Sequence, residues 1–284
     1  MSARGGTLYV VATPIGNLGD VTLRALETLR SVPLVAAEDT RLTRRLLERH
    51  SIATRLVSYH ARSGPGREVE LLDHLRGGAD LALVTDAGTP GVSDPGDSLV
   101  AAWAGEGGAV VPIPGASSVL AAVSASGVAG PRWSFEGFLP RRGRERRERL
   151  ARIAADERGA VVFEAPNRVA STLRDLATAA GGDRPAAVAR ELTKLHESIE
   201  RGSLDELAAR AADGRIPARG EFVVVVGSVE SSGGAGAEPD AAAIEIARSE
   251  VERLVGAGIA RSEAARQVAQ RTGIPRRRLY GAGG

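Results

Sequence analysis

The sequence predicts an α/β fold in three parts: a domain with a parallel sheet over residues 1–130, a second α/β domain with a mixed sheet over 131–230, and a linker with a helical tail over 231–284. Three observations carry this reading. Short apolar runs alternate with segments of helical period, the pattern of strands joined by crossover helices. The runs are continuously apolar, as in strands covered on both faces. A length of 284 residues matches about two domains of ~150 residues each.

The elements follow in chain order. Thr7 to Ala12 reads as a buried strand ending in the turn Thr13-Pro14-Ile15-Gly16-Asn17. Leu23, Leu26 and Leu29 share a helical face, and Leu34 to Ala37 is the next strand. Leu42, Leu46 and Leu47 mark a helix, Leu56 to Ser58 a strand, and Glu68 to Arg76 a helix. Leu81 to Thr85 is a strand followed by a Gly/Pro loop and a helix near Leu99; Val110 to Ile113 is a strand, and a helix starts at Ser117. Past Pro131 the strands are Trp133 to Gly137, Ala160 to Glu164, Ala186 to Arg190, Ser198 to Arg201 and Phe222 to Gly227. Helices fall at Val169 to Ala180 and Leu204 to Ala212, and with fewer clean crossovers the sheet is expected to be mixed. Ser228 to Asp240 has linker composition. The tail reads as helices Ala241 to Val255 and Ser262 to Thr272, stopped by Gly273 and Pro275.

Composition narrows function. At 43% hydrophobic and 25% charged residues the chain is an ordinary globular one. With no cysteine there is no thiolate nucleophile, disulfide or cysteine-ligated zinc. Lys194 is the sole lysine, so no Walker-A phosphate loop exists. The four histidines lack metal-ligand spacing, and no metal is expected. No signal-peptide core opens the chain. The uncharged stretch Gly107 to Pro131 carries prolines, serines and glycines that suit a strand, turn and helix better than a membrane span. A cytoplasmic protein is expected.

Ligands of open parallel sheets bind beyond the carboxyl ends of the strands. Four loops there are rich in Gly, Pro, Asp and Ser: Thr13 to Asn17, Glu38-Asp39-Thr40-Arg41, Asp86 to Gly96, and Pro114-Gly115-Ala116-Ser117-Ser118. Glycine lets a ligand approach the backbone, and proline stiffens the loop. Asp86 suits a ligand hydroxyl or ammonium, or an Asx turn; Ser117 and Ser118 open a helix and suit a carboxylate. No G-x-G-x-x-G occurs, which speaks against a nicotinamide dinucleotide, and Gly91 to Pro95 lacks the last glycine of a nucleophile elbow. Glu38, Asp39 and Arg41 are surface charge or a cleft edge that orients a substrate or takes its proton. Glu164, Asn167 and Arg168, then Arg190-Glu191-Leu192-Thr193-Lys194, form a similar group in the second domain. Arg141, Arg142, Arg144, Arg146, Arg147, Arg149 and Arg152 are either a solvated helix face paired with Glu145 and Glu148 or a phosphate-binding strip, with Arg276 to Arg278 a second basic footprint. At 3% aromatic residues, a base-stacking platform is not expected.

These stretches, with Leu8 to Asn17, Ala36 to Arg41 and Phe163-Glu164-Ala165-Pro166-Asn167-Arg168, resemble the tetrapyrrole-methylase-like S-adenosylmethionine-dependent methyltransferases over Gly6 to Gly227. Within that family the chain is similar to the branch acting on bacterial small-subunit ribosomal RNA. The resemblance implies a cofactor, S-adenosylmethionine, held in a cleft between two α/β domains. Pro14, Ile15, Asp86, Gly88, Thr89, Pro90, Gly91, Ser117 and Ser118 would line it, with Phe163 and Ala189 around the adenine. It implies a homodimer that methylates the ribose 2′ oxygen of a decoding-centre cytidine in 16S rRNA, free or within the 30S subunit. Arg141, Arg142, Arg144, Arg146 and Arg147 would then meet RNA. Glu38, Asp39, Glu164 and Glu191 stand open as proton acceptors, and Arg41, Arg190 and Lys194 would position phosphate or ribose. The chain departs from the family at Ala61-Arg62-Ser63-Gly64-Pro65-Gly66, where an acidic, asparagine-containing segment is usual, so that loop inherits no substrate role. Two other functions compete: C-methylation of a precorrin-like tetrapyrrole, which has no need of the arginine run, and non-catalytic RNA binding, which leaves the Gly/Pro loops unexplained.

Overall fold

The computed structural model describes residues 5–229, 241–272, 274 and 276–279. They form two compact units, one over residues 5–229 and one over the described residues from 241 onward. The first unit opens with β1 (Thr7–Val11), α1 (Leu23–Ser31), β2 (Leu34–Ala37), α2 (Thr40–Arg49) and β3 (Arg55–Ser58). It continues with α3 (Pro65–Arg76), β4 (Leu81–Val84), α4 (Asp97–Gly105), β5 (Ala109–Ile113) and α5 (Ser118–Ser126). The five strands form one all-parallel sheet in the order β3-β2-β4-β1-β5. β2 and β4 lie inside it and are buried at every residue, so Leu-Val-Ala-Ala and Leu-Ala-Leu-Val need no polar alternation. Leu29, Leu46 and Leu47 cover one face; Leu71, Leu75, Leu99 and Trp103 cover the other.

The second sheet comes from β6 (Trp133–Phe138), β7 (Gly159–Glu164), β8 (Pro185–Arg190), β9 (Ser198–Ser203) and β10 (Phe222–Val226). Its order is β6-β7-β10-β8-β9, with β6 and β7 parallel and the other pairs antiparallel. The mixed sheet expected from the sequence is therefore present. Helices α6 (Gly143–Ala155), α7 (Val169–Ala180) and α8 (Leu204–Ala212) supply the apolar layer on one face, through Leu150, Leu173 and Leu207. The opposite face, with Val161, Ala187 and Val225, packs on α5 through Val119 and Ala122. Thus α5 follows the first sheet in sequence but packs against the second.

The other unit contains α9 (Ala241–Gly256), α10 (Arg261–Thr272) and α11 (Arg276–Leu279), joined by Val251, Ala265, Val268 and Leu279. The periodicity of the sequence predicts no helix at α11. The linker reading over 230–240 and the stop at Gly273 and Pro275 lie outside the described residues. Among the described residues, no helix is long and apolar enough to cross a membrane.

Candidate functional site

The loops at the carboxyl ends of the first sheet are tied into one surface. The Thr13 N–H donates to the Gly88 carbonyl at 2.8 Å and the Gly88 N–H returns to Thr13 at 3.0 Å. Thr89 Oγ1 donates to the Ala116 carbonyl at 3.2 Å, joining the third loop to the fourth. Gly88 has φ +82°, and a Cβ there would stand 3.4 Å from Ile15; glycine keeps this wall thin. Ser117 caps α5 by accepting the Leu120 N–H.

Together with the second sheet these loops enclose a cavity of about 440 Å³. Of the expected cofactor residues, Ile15, Gly88, Thr89, Ser117, Ser118, Phe163 and Ala189 line it, and Glu164 does too. Pro14, Asp86 and Lys194 line an adjoining cavity of about 460 Å³ that shares Ile15, Ala87 and Glu221 with the first. Pro90 and Gly91 line neither; a Cβ on Gly91 would meet the Asp97 carboxylate at 2.6 Å, so this glycine serves the start of α4. The walls are mostly apolar with a few polar groups, the usual make-up of a site for a small organic ligand. Among the described residues no group of His, Asp and Glu is arranged to hold a metal ion.

The expected catalytic residues fall into separate environments. Asp39 caps α2 and is bidentate to Arg41, which holds its carboxyl down to about 2 and makes it a poor proton acceptor at neutral pH. Glu38 is raised, chiefly by burial, with Asp86 and Asp39 adding repulsion against the Asp86 N–H and His60. Glu164 is fully buried: it accepts the Ala165 N–H at 2.8 Å and the Thr172 hydroxyl at 2.6 Å, with Arg168 at 3.3 Å. Such a carboxylate anchors structure. Arg190 is corrected from a ligand-facing role, because its guanidinium is buried and donates to the Arg219 and His196 carbonyls. Glu191 accepts the Glu221 N–H at 2.9 Å and Lys194 Nζ at 3.0 Å, and those two bonds, in that order, lower its pKa. Burial pulls Lys194 down, but Glu191 and Glu221 outweigh it and the ammonium is held charged. A Cβ on Gly16 would lie 2.5 Å from the Lys194 side chain, so the lysine packs directly on the first loop.

Asp94 and Phe138 are among the residues of the cavity that were not singled out from sequence. Asp94 lines it and also a neighbouring cavity beside Tyr59 and His60. Its carboxyl is pushed up to about 6, first by burial and then by Glu38, with Asp86 adding to the shift and the Thr85 hydroxyl opposing it. Phe138, at the end of β6, lines the cavity and stays exposed. Loop length pointed to the segment holding Asp94 but could not rank its members. Of the arginine run, Arg141, Arg142, Arg144 and Arg147 are exposed on or beside α6. Arg146 is corrected from the RNA-facing set: it is buried, donating to Asp175, Thr172 and the Pro140 carbonyl.

Residues 7–208 match the family model described as Tetrapyrrole (Corrin/Porphyrin) Methylases. A Synechocystis protein named "Ribosomal RNA small subunit methyltransferase I" is 47% identical over 97% of this chain and 96% of its own length. The Bacillus subtilis protein of the same name is 39% identical over 98% of this chain and 94% of its own. Among solved structures, a uroporphyrin-III C-methyltransferase from Thermus thermophilus, complexed with S-adenosylhomocysteine, is similar in fold. Its TM-score is 0.56 at 21% identity, over 79% of this chain and 98% of that one.

Proposed function

From the premise that the chain belongs to the tetrapyrrole (corrin/porphyrin) methylase family, we propose that it is a small-subunit ribosomal RNA methyltransferase. In this reading it moves a methyl group from S-adenosylmethionine to the ribose 2′ oxygen of a decoding-centre cytidine in 16S rRNA. It acts in the cytoplasm as a homodimer, on free rRNA or the 30S subunit. The observation that carries the reading is a mostly apolar cavity at the strand ends, capped by the start of α5, with a half-buried carboxyl of raised pKa in its wall.

The residues present fit the methyl donor. Gly88 keeps one wall open to a ligand, and Ser117 and Ser118 set the N-terminus of α5 in the cavity, where amides and helix dipole favour a carboxylate. Phe163 and Ala189 offer an apolar surface to an adenine. When bound, S-adenosylmethionine supplies a methyl group whose bond to sulfur breaks, the electron pair staying on sulfur, as the bond to oxygen forms. The protein's part is to exclude water and hold the attacking hydroxyl in line, which is where much of such a rate arises. Asp94 Oδ holds the proton that the 2′ hydroxyl gives up; a proton acceptor near the working pH contributes about 10²–10⁴-fold. Lys194 and the exposed Arg141, Arg142, Arg144 and Arg147 hold phosphates.

The test is incubation with radiolabelled S-adenosylmethionine and either 30S subunits lacking the modification, naked 16S rRNA, or a uroporphyrinogen-type tetrapyrrole. Label on a cytidine 2′ oxygen is expected. Label on the tetrapyrrole, or on neither, would overturn the reading.

A further inference from the structure

Phe138 is the exposed ring among the four phenylalanines. All four phenylalanines lie in the second sheet. Phe222 is buried, and Phe135 and Phe163 join the apolar layer beneath the sheet, yet Phe138 is 58% exposed while lining the cavity. Its ring meets Phe163 edge-on, with centroids 5.5 Å apart at 61°. The ring is thus braced on one side and open on another.

The backbone around it is specified closely. The β6–β7 register shifts between Phe135 and Gly137, and Gly137 has φ +61°. A Cβ on Gly137 would stand 3.3 Å from Ser93 Oγ, and Ser93 itself has φ +65°. So β6 meets the third loop one residue before Phe138 on its side and one residue before Asp94 on the other. After Phe138 the chain is pinned: Arg168 donates to the Leu139 and Pro140 carbonyls, and Arg146 to Pro140. Next come Arg141 and Arg142, exposed and with no ion-pair partner among the described residues. An open aromatic ring therefore lines the cavity three and four residues before those two cations.

We propose that Phe138 stacks on the nucleobase of the acceptor nucleotide at the cavity mouth, while Asp94 faces that nucleotide's ribose and Arg141 and Arg142 meet its flanking phosphates. This rests on the RNA reading above. A nucleotide that enters a cavity must leave its neighbours' stack, and an aromatic ring replaces the stacking it gives up. One ring is enough for one base; no platform is needed.

The experiment uses the full chain with 30S subunits lacking the modification. Phe138→Ala lowers kcat/KM by roughly 5- to 150-fold, the value of one base–aromatic stack, while the Kd for S-adenosylhomocysteine by calorimetry stays within about two-fold. Phe138→Trp restores most of the activity. Its fluorescence is quenched, beyond any change in the wild type, by a cytidine-containing single-stranded RNA oligonucleotide. An active wild type with an indifferent Phe138→Ala overturns the stack alone. Loss of S-adenosylhomocysteine affinity in step with kcat/KM overturns it too, assigning the ring to the methyl donor. A wild type that binds S-adenosylhomocysteine but leaves 30S subunits unmethylated overturns the RNA reading and the stack with it.

Discussion

At the carboxyl ends of the first sheet, Glu38, Asp86 and Asp94 act on one another electrostatically, with no arginine or lysine ion-paired to them among the described residues. Around the second sheet three arginines are buried, and each is engaged with the fold. Arg184 donates to the Gly227, Ile153, Asp156 and Arg158 carbonyls, Arg190 to Arg219 and His196, and Arg146 to Pro140 and Asp175. The difference separates two uses of charge. A buried guanidinium that satisfies backbone carbonyls fixes the chain and has nothing left for a ligand. A half-buried carboxyl beside other carboxyls is destabilised in its charged form and so has reason to take a proton.

Four measurements sharpen or break this contrast. The largest effect is expected from Asp94→Asn, which lowers kcat by about 10²–10⁴-fold if its carboxyl holds the proton. In the wild type kcat/KM rises with pH through about 6, because the acceptor must be ionised in the free enzyme, and the variant loses that limb. An unchanged pH profile would clear Asp94 of the role. Next is Arg146→Ala, which takes the ion-pair partner from Asp175 and one hydrogen bond each from Thr172 and the Pro140 carbonyl. Breaking a buried pair costs about 3–5 kcal/mol, less where a partner is half exposed as Asp175 is, so a fall in Tm of roughly 5–10 °C is expected.

Third, the combined Arg141→Ala, Arg142→Ala and Arg147→Ala variant should leave Tm nearly unchanged. It should reduce the slope of log affinity for RNA against log salt by about 0.7–0.9 for each phosphate that is no longer neutralised. If Arg146→Ala alone changes that slope at a temperature where it is folded, the inside–outside division of the run is wrong. The smallest effect is again at Asp94. A carboxyl raised from 3.8 to about 6 on folding destabilises the native state as it ionises; the penalty grows between those pH values and is complete above the higher one. Half exposure and solvent screening reduce it to roughly 1 kcal/mol, so Asp94→Asn should gain about 2–4 °C in Tm at pH 7 and nothing near pH 4.

Much of the first sheet was legible because its signals are local. Leu34 to Ala37 and Leu81 to Val84 are apolar at every position, and Ser117 marks the start of α5 as a cap should. The cavity's loops were legible for the same reason, through Gly88, Thr89 and Ser117. What stayed hidden depends on residues far apart in sequence. Arg146 and Arg147 are neighbours of which one is buried and the other exposed, and the side chains that Arg146 bonds lie on α7. Arg190 looked free until the Arg219 carbonyl arrived from the approach to β10. Asp94 gains its raised pKa from Glu38 after β2 and Asp86 after β4, a meeting that the sheet order creates. The exposure of Phe138 likewise depends on the bulge that turns β6 at Gly137.

Helix α5 has one more consequence. A gene cut at residue 130 would yield an amino-terminal piece whose last helix displays Val119 and Ala122 to water, and a carboxyl-terminal piece whose sheet is bare beneath Val161, Ala187 and Val225. Each fragment alone should aggregate, whereas the two made together in one cell should recombine through that helix, giving a ready complementation pair.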